Sequence, residues 1–286
     1  MLLNSRTDLA LEAYNICSQS EKSGKEIEGV IVRKESVSNV MVHSVEIVNE
    51  IGANALGKSI GKYYTIELDS HFERGSEFFQ SAAFAVSDLI GRCLPNSFCS
   101  SFLIAALGNP DITPDALGSL AASSVLVTRH LKQTSQADFD FFASTALCRT
   151  GVLGTTGIES AAQIKMLCDC INPDCVIAID ALAGADISRV CSTIQISDSG
   201  IAPGSGVGNS RAELCFNTLG VPVISIGMPT VIDAAALSCD KALDAMFVTP
   251  RDIDSSVRNA GKLIAYGINL ALHKGISISD IDYLVG

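Results

Sequence analysis

The chain has 286 residues, of which 48% are hydrophobic and 18% are charged, and its formal net charge is −11. A charge of this sign repels phosphate backbones, so the composition argues against direct nucleic-acid binding. The N-terminus resembles no secretory signal, and no apolar run reaches the roughly 18 residues that a membrane span needs, so we expect a cytoplasmic protein without a membrane anchor.

The first part of the chain predicts two helices and several strands. Arg6–Gln19 has the apolar spacing of a helix. Three short β-like runs between Val30 and Leu68 predict hairpin strands added to a main sheet. Glu77–Arg92 has helical periodicity, and the apolar run Ser101–Leu107 predicts a buried strand.

The stretch "LGNPDITPDALG" starts at the end of this strand and contains two acids, Asp111 and Asp115. Asp115–Arg129 predicts the next helix, with Pro114 and Asp115 in its first turn. At that position a proline loses no hydrogen bond and an acid interacts favourably with the helix dipole. The stretch is therefore predicted to be a strand-to-helix loop.

The second part of the chain repeats this arrangement. Gly157–Cys170 predicts a helix, and Cys175–Ile179 has the unbroken apolar character of a buried parallel strand. A helix around Arg211–Leu219 and a strand at Val221–Gly227 follow. His273 falls in the last predicted helix.

These alternating elements predict the fold class. Strand, helix and strand at such spacings form right-handed crossovers, and a chain with 6% aromatic residues and no Trp builds its core from small aliphatic side chains. We expect a three-layer α/β fold with a mostly parallel sheet flanked by helices, an added β-hairpin region and no second domain.

Two acids follow predicted strands: Asp115 comes after Ser101–Leu107, and Asp180 ends the strand at Cys175–Ile179. Ligands and catalytic groups gather beyond the carboxyl ends of parallel strands. Two carboxyl groups placed close together do not both ionise, so one serves as an acid and the other as a base. The alternative for each residue alone is structural, since Asp115 can cap a helix and Asp180 can bind loop amides.

The glycine-rich segment "SDSGIAPGSGVGNSR" covers Ser197–Arg211. Backbone amides in such a loop can cradle an anion, but the segment lacks the Walker spacing and its lysine. A loop that clasps a peptide substrate is the other interpretation. The candidate binding residues are Ser197, Asp198, Gly204, Gly206, Gly208 and Asn209.

The cysteines predict neither disulfides nor a metal site. Cys168, Cys170 and Cys175 are the densest group, but their spacing differs from the paired elements of structural zinc sites and no His is near. No serine lies in a nucleophile-elbow motif, and no HExxH pattern occurs. We therefore expect reduced thiols, no metal and no cofactor.

Six long motifs, in the same order, resemble the germination proteases of endospore-forming bacteria. They are "SRTDLALEA", "LGNPDITPDALG", "TGIESAAQI", "VIAIDALAG", "TIQISDSGIAPGSGVGNSR" and "GVPVISIGMPTVIDA". The resemblance implies an atypical aspartic-type endopeptidase that degrades small acid-soluble spore proteins during germination. It also implies a fold similar to hydrogenase-maturation proteases and to phosphorylase-like α/β proteins.

The resemblance assigns roles to particular residues. Its two proposed catalytic acids match Asp115 and Asp180, which selects Asp115 over Asp111. Members are made as zymogens that clip their own N-terminus, and the matching motif places the cut between Asp8 and Leu9. Residues 1–8 would then be a short propeptide and residues 9–286 a single peptidase domain.

The resemblance further implies a homotetramer located in the cytoplasm of the spore core. An acid followed by small apolar residues also resembles the family's substrate site, so self-processing and substrate cleavage would share one specificity. Two other functions remain open on the same fold: a phosphorylase-like transferase that uses Ser197–Arg211 for phosphate, and a peptide-binding module without catalysis.

Overall fold

The computed structural model describes residues 7–20, 27–69, 72–96, 99–133, 141–208, 211–237, 243 and 246–285. Asn209, one of the candidate loop residues, lies outside them. The described strands are β1 (Val30–Val37), β2 (Val40–Ile47), β3 (Gly61–Glu67), β4 (Ser101–Leu107), β5 (Ser144–Gly151), β6 (Cys175–Gly184), β7 (Thr193–Ser197), β8 (Val223–Asp233) and β9 (Phe247–Val248).

These strands form one mixed sheet, in the order β1-β2-β3-β7-β8-β6-β4-β5, with β9 paired to β8. The pairings β4 with β5, β4 with β6 and β6 with β8 are parallel, and the other pairings are antiparallel. The α/β class and the added hairpin strands are confirmed. The expectation of a mostly parallel sheet is wrong, because β7 follows β6 through a connection too short for a parallel crossover.

Helices cover both faces of the sheet, which confirms the layered arrangement. The described α-helices are α1 (Ala10–Ser20), α2 (Glu50–Leu56), α3 (Glu77–Cys93), α4 (Leu117–Ala122), α5 (Arg129–Gln133), α6 (Leu153–Thr156), α7 (Ser160–Ile171), α8 (Phe216–Leu219), α9 (Ile253–Leu272) and α10 (Ile278–Val285). One face packs on α3, α4 and α9. The opposite face packs on α7 towards β4 and β6, and on α1 and α2 towards β2 and β3.

The predicted helix Asp115–Arg129 is shorter in the structure. A 3-10 turn at Thr113–Asp115 precedes α4, which ends at Ala122. Asn269 of α9 then binds the next backbone groups, since its Nδ2 donates to the Ser124 carbonyl oxygen at 2.8 Å and its Oδ1 accepts from the Leu126 N–H at 2.9 Å. These bonds fix the turn at 123–125 that ends α4.

The strand predicted to end at Asp180 instead continues to Gly184. Its neighbour β8 runs to Asp233 and pairs with β6 over this whole extension. On the other side, the last pairing of β6 with β4 joins Ile179 to Ala106. Asp180 is therefore the first residue of β6 beyond its ladder with β4, where one edge of the strand becomes open.

His273 is the C-cap of α9 rather than a helical residue, and α10 follows it. Its side chain is 1% exposed, and within the described part of the chain neither ring nitrogen has a hydrogen-bond partner. Phe142 packs edge-on against the ring. Burial lowers the pKa of His273 to about 4, so the imidazole is neutral at pH 7.

The buried His273 is expected to make stability depend on pH. Below about pH 6.5 the unfolded chain binds a proton at His273, whereas the folded chain binds it only near pH 4. The free energy of unfolding therefore falls by about 3 kcal/mol as the pH drops across that range. His273→Leu should remove this loss. Urea unfolding of both proteins at pH 7, 5.5 and 4 measures it, and equal losses in the two proteins would contradict the assignment.

Candidate active site

A cleft of about 320 Å³ opens on the face of the sheet that α1, α2 and α7 only partly cover. Its floor comes from β3, β6, β7 and β8, through Tyr63, Leu182, Gln195, Ser225 and Gly227. Alternation along the strands explains the polar floor: the neighbouring residues of β7 and β8 point to the other face and fill the core. These core residues are Ile194, Ile196, Ile224, Ile226 and Met228.

Three residues stand in register across the centre of the sheet. Asp180 of β6 pairs with Gly227 of β8, and Gly227 pairs with Gln195 of β7. Registered neighbours point to the same face, so the side chains of Asp180 and Gln195 flank the position where Gly227 has none. Two strand spacings separate them by about 10 Å between Cα atoms, and the Leu182 side chain fills the space above Gly227, where a Cβ would lie 2.7 Å from Leu182 Cγ.

Asp180 is 5% exposed, and the N–H of Ala181 donates to its Oδ1 at 3.0 Å. Burial raises the pKa of Asp180 well above its usual range, and the negative charges of Asp115 and then Asp8 raise it further. Asp115 and Asp8 are therefore close enough to Asp180 for their charges to act on it. Asp180 holds its proton to a higher pH than an ordinary aspartate does.

Asp115 reaches this environment from the loop after β4. Its Oδ2 accepts the Asn109 N–H at 2.7 Å, and burial raises its pKa above the usual value. Gly108 has φ +90°, and a Cβ there would lie 2.0 Å from the Asp115 carbonyl oxygen, so only glycine permits this turn. Asp111, the other acid of the loop, is exposed.

The N-terminal segment Thr7–Leu9 borders the cleft through Thr7 and Asp8 and binds the end of β6. The Asp8 N–H donates to the Ala183 carbonyl oxygen at 2.9 Å, and the Ala183 N–H donates to Asp8 Oδ2 at 2.8 Å. Ser205 Oγ donates to Asp8 Oδ1 at 2.6 Å. The chain's own N-terminal segment thus forms part of the cleft wall, with an acid side chain fixed in place.

The glycine-rich loop forms one wall of the cleft, with Gly204 and Gly208 at positive φ on either side of the 3-10 turn Ser205–Val207. Gly206 lies against Asp8, since a Cβ at Gly206 would be 2.3 Å from Asp8 Oδ2. Ser197 and Asp198 instead connect the loop to the sheet. Ser197 Oγ shares a hydrogen bond with Ser199 Oγ at 2.8 Å, and Asp198 Oδ1 accepts the Lys62 N–H at 2.7 Å.

Sequence reasoning missed three residues that contact the segment: Glu12, Lys58 and Gln195. Lys58 Nζ donates to the Thr7 carbonyl oxygen at 2.9 Å, and burial lowers the pKa of Lys58 while the charges of Asp8 and Glu12 raise it. Glu12 accepts from the Thr7 hydroxyl and, at 2.6 Å, from the Ala185 N–H.

One of these three residues carried a usable signal in the sequence. The pattern "TIQIS" of β7 alternates polar and apolar residues, which places Gln195 on the face opposite the isoleucines. Lys58 and Glu12 lie in ordinary polar contexts, and only the tertiary structure brings them to Thr7. No three His, Cys, Asp or Glu side chains in the described ranges come together as metal ligands.

Comparison with known proteins gives relatives that match nearly the whole of this chain. The germination protease of Caldanaerobacter subterraneus subsp. tengcongensis is 37% identical, over 100% of this chain and 99% of the relative. That of Clostridium perfringens strain ATCC 13124 is 37% identical, over 98% and 99%. That of Bacillus cereus strain B4264 is 39% identical, over 96% of this chain and 76% of the relative.

The sequence model of the germination protease family matches residues 10–247. The chain belongs to the germination protease family. Membership makes it a protease of spore germination, with a protein as its substrate. The resemblance inferred from the six motifs is thereby confirmed.

Among solved structures, the NiFe hydrogenase maturation protease HycI from Thermococcus kodakarensis KOD1 is similar to this germination protease. It is 17% identical, with a TM-score of 0.36, over 63% of this chain and 98% of that one. No helix among the described residues combines the length and the apolar character of a membrane span.

Proposed function

We propose that the chain is an endopeptidase of the spore core that uses the pair Asp115 and Asp180. We further propose that it is made as a zymogen, cuts itself between Asp8 and Leu9, and then degrades small acid-soluble spore proteins. The observation that supports this is Asp8, which lines the cleft, is held by Ala183 and Ser205, and is close enough to Asp180 to raise the pKa of that acid.

The two acids divide the chemistry according to their environments. Asp180 holds the proton more firmly, so Asp115 is the base that takes a proton from the attacking water. The water oxygen bonds to the Asp8 carbonyl carbon, and the carbonyl oxygen takes the proton of Asp180. The C–N bond then breaks, the Leu9 nitrogen takes the proton held by Asp115, and the new hydroxyl returns a proton to Asp180.

The acid N-terminal to the cut is the proposed specificity determinant. The carboxylate of Asp8 accepts hydrogen bonds from the Ala183 N–H and from the Ser205 hydroxyl, and Gly206 leaves room for it. Hydrogen bonds to a charged group contribute about 1.5 to 3 kcal/mol each. An acid in a spore protein would bind the same groups, so one subsite serves both self-processing and substrate cleavage.

Cleavage at this bond would also open the cleft. Leu9 and Ala10 are both 0% exposed, so a new ammonium group on Leu9 would be left in a buried position. A buried, unpaired charge is strongly unfavourable. The start of α1 is therefore expected to leave its site after the cut, which makes the cleft accessible to a protein substrate. Assembly as a homotetramer remains an expectation from the family resemblance.

Mass spectrometry of the purified chain incubated alone tests the proposal. We expect loss of residues 1–8 and, after addition of a small acid-soluble spore protein, fragments that end in an acid. A chain that stays intact and binds the spore protein without cutting it would instead be a binding module. Phosphate-dependent release of a sugar phosphate from a nucleoside would indicate the transferase.

A further inference from the structure

We propose that Gln195 is a third catalytic residue, whose side-chain amide binds the carbonyl group that is cut and stabilises its oxygen during the reaction. Gln195 Nε2 donates to the Asp8 carbonyl oxygen at 3.1 Å. This inference rests on the proposed function, because it takes the Asp8–Leu9 bond as the bond that is cut.

Gln195 contacts the chain on both sides of that bond. Its Oε1 accepts the Ala10 N–H at 2.8 Å, while its Nε2 binds the Asp8 carbonyl oxygen. A backbone N–H can only donate and a carbonyl can only accept, so these two partners fix the orientation of the amide. A primary amide supplies an N–H donor and a carbonyl acceptor in a single plane, which a carboxylate or an aliphatic side chain does not.

The position of Gln195 is set by the sheet and not by the segment it binds. It lies in β7, is 7% exposed, and stands across Gly227 from Asp180. The Leu182 side chain lies above Gly227 between the two residues, and the amide of Gln195 reaches the Asp8 carbonyl oxygen from its own side. A group held in this way needs no reorganisation as the reaction proceeds, which is the requirement for stabilising a transition state.

The hydrogen bond from Gln195 is stronger in the transition state than in the complex that precedes it. When water adds to the Asp8 carbonyl carbon, the π electrons move to the oxygen that Gln195 Nε2 already contacts. A donor aimed at that oxygen binds the developing negative charge more strongly than the neutral carbonyl. Loss of one such donor lowers catalytic rates by about 100-fold or more in other enzymes.

A purely structural role for Gln195 is the competing explanation, since its Oε1 also binds the first residue of α1. The N–H of Asp8 distinguishes the two roles. It donates to the Ala183 carbonyl oxygen without involving Gln195, so its hydrogen exchange reports whether the segment is seated in the cleft.

The experiment measures self-clipping and seating separately. Gln195→Met keeps the length of the side chain and removes both hydrogen bonds. The matched control is Gln163→Met on α7, where Gln163 Nε2 binds the carbonyl oxygens of Thr150 and Ile158 away from the cleft. The first-order clipping rate is followed by mass spectrometry, and exchange of the Asp8 N–H is measured in the Asp180→Asn background, where clipping does not interfere.

We expect Gln195→Met to slow clipping about 100-fold, with Asp8 exchange close to that of the parent and normal clipping in the control. Clipping at the wild-type rate would overturn the role of Gln195. So would a parallel loss of clipping and of Asp8 protection, which indicates positioning alone. If Gln195→Met does not fold, Gln195→Glu, which keeps an acceptor for Ala10 but has no donor, takes its place. Failure of the wild-type chain to clip would instead reject the proposed function.

Discussion

Asp180→Asn and Asp115→Asn are each expected to slow self-clipping and spore-protein digestion by at least about 1000-fold, within the range for loss of a general acid or base. Asparagine has the size of aspartate but cannot exchange the proton. Clipping is measured by mass spectrometry, and digestion by gel electrophoresis of an added small acid-soluble spore protein. Both variants are expected to fold, because the substitution changes no volume.

The control for this pair is Asp111→Asn, which changes an exposed acid of the same loop. It should clip at the wild-type rate. Robust clipping by both Asp115→Asn and Asp180→Asn would reject the catalytic pair. Loss of clipping in Asp111→Asn as well would mean that the loop, and not the carboxyl group of Asp115, is sensitive to substitution.

Folding of Asp180→Asn can be checked through its pH dependence. Because the folded chain raises the pKa of Asp180, the wild-type protein loses stability as the pH rises from the unfolded pKa through the folded one. The asparagine variant has no such titration. Its free energy of unfolding should therefore fall less than that of the wild type when the pH rises from about 4 towards neutrality.

Gly206→Ala is expected to slow clipping about 100-fold, the upper range for overpacking a closely packed contact. The new Cβ would lie 2.3 Å from Asp8 Oδ2 and 2.7 Å from the Cβ of Ala183. Gly206 is not among the glycines at positive φ, so alanine suits its backbone and the effect falls on the acid-binding subsite. Mass spectrometry of the incubated variant measures the rate.

Gly154→Ala in α6 is the matched control, since a Cβ there has no atom within 4 Å. It should clip at the wild-type rate, and its free energy of unfolding should be at least that of the wild type. Digestion of an added spore protein should fall with clipping in Gly206→Ala, because both substrates place an acid in the same subsite. Normal digestion in this variant would show that the two substrates bind differently.

The best-predicted elements are those whose local sequence is enough to determine their secondary structure. The helix predicted at Glu77–Arg92 is α3, Glu77–Cys93, with Ser76 as its N-cap. The strand predicted at Ser101–Leu107 is β4 with the same bounds. A long amphipathic run and an unbroken apolar run each carry enough local signal to define an element.

Long-range contacts explain where the predictions failed. The helix at Asp115–Arg129 stops early because Asn269, from a distant helix, binds the backbone at Ser124 and Leu126. Strand β5 was not predicted, because its mixed segment becomes a strand only through pairing with β4. Such pairing is a property of the assembled sheet.

The amino-acid sequence by itself determined the α/β class, the apolar strands of the core, the family, and two acids that each follow a predicted strand. Only the tertiary structure decided that five of the eight strand pairings are antiparallel, that Asp180 and Gln195 stand in register on either side of Gly227, and that Asp8 lines the cleft and binds Ala183 and Ser205. The physical reason is the distance along the chain over which each effect acts. Periodicity and turn chemistry act within about a dozen residues, whereas strand register, burial and the effect of Asp115 and Asp8 on the pKa of Asp180 arise only when distant segments pack together.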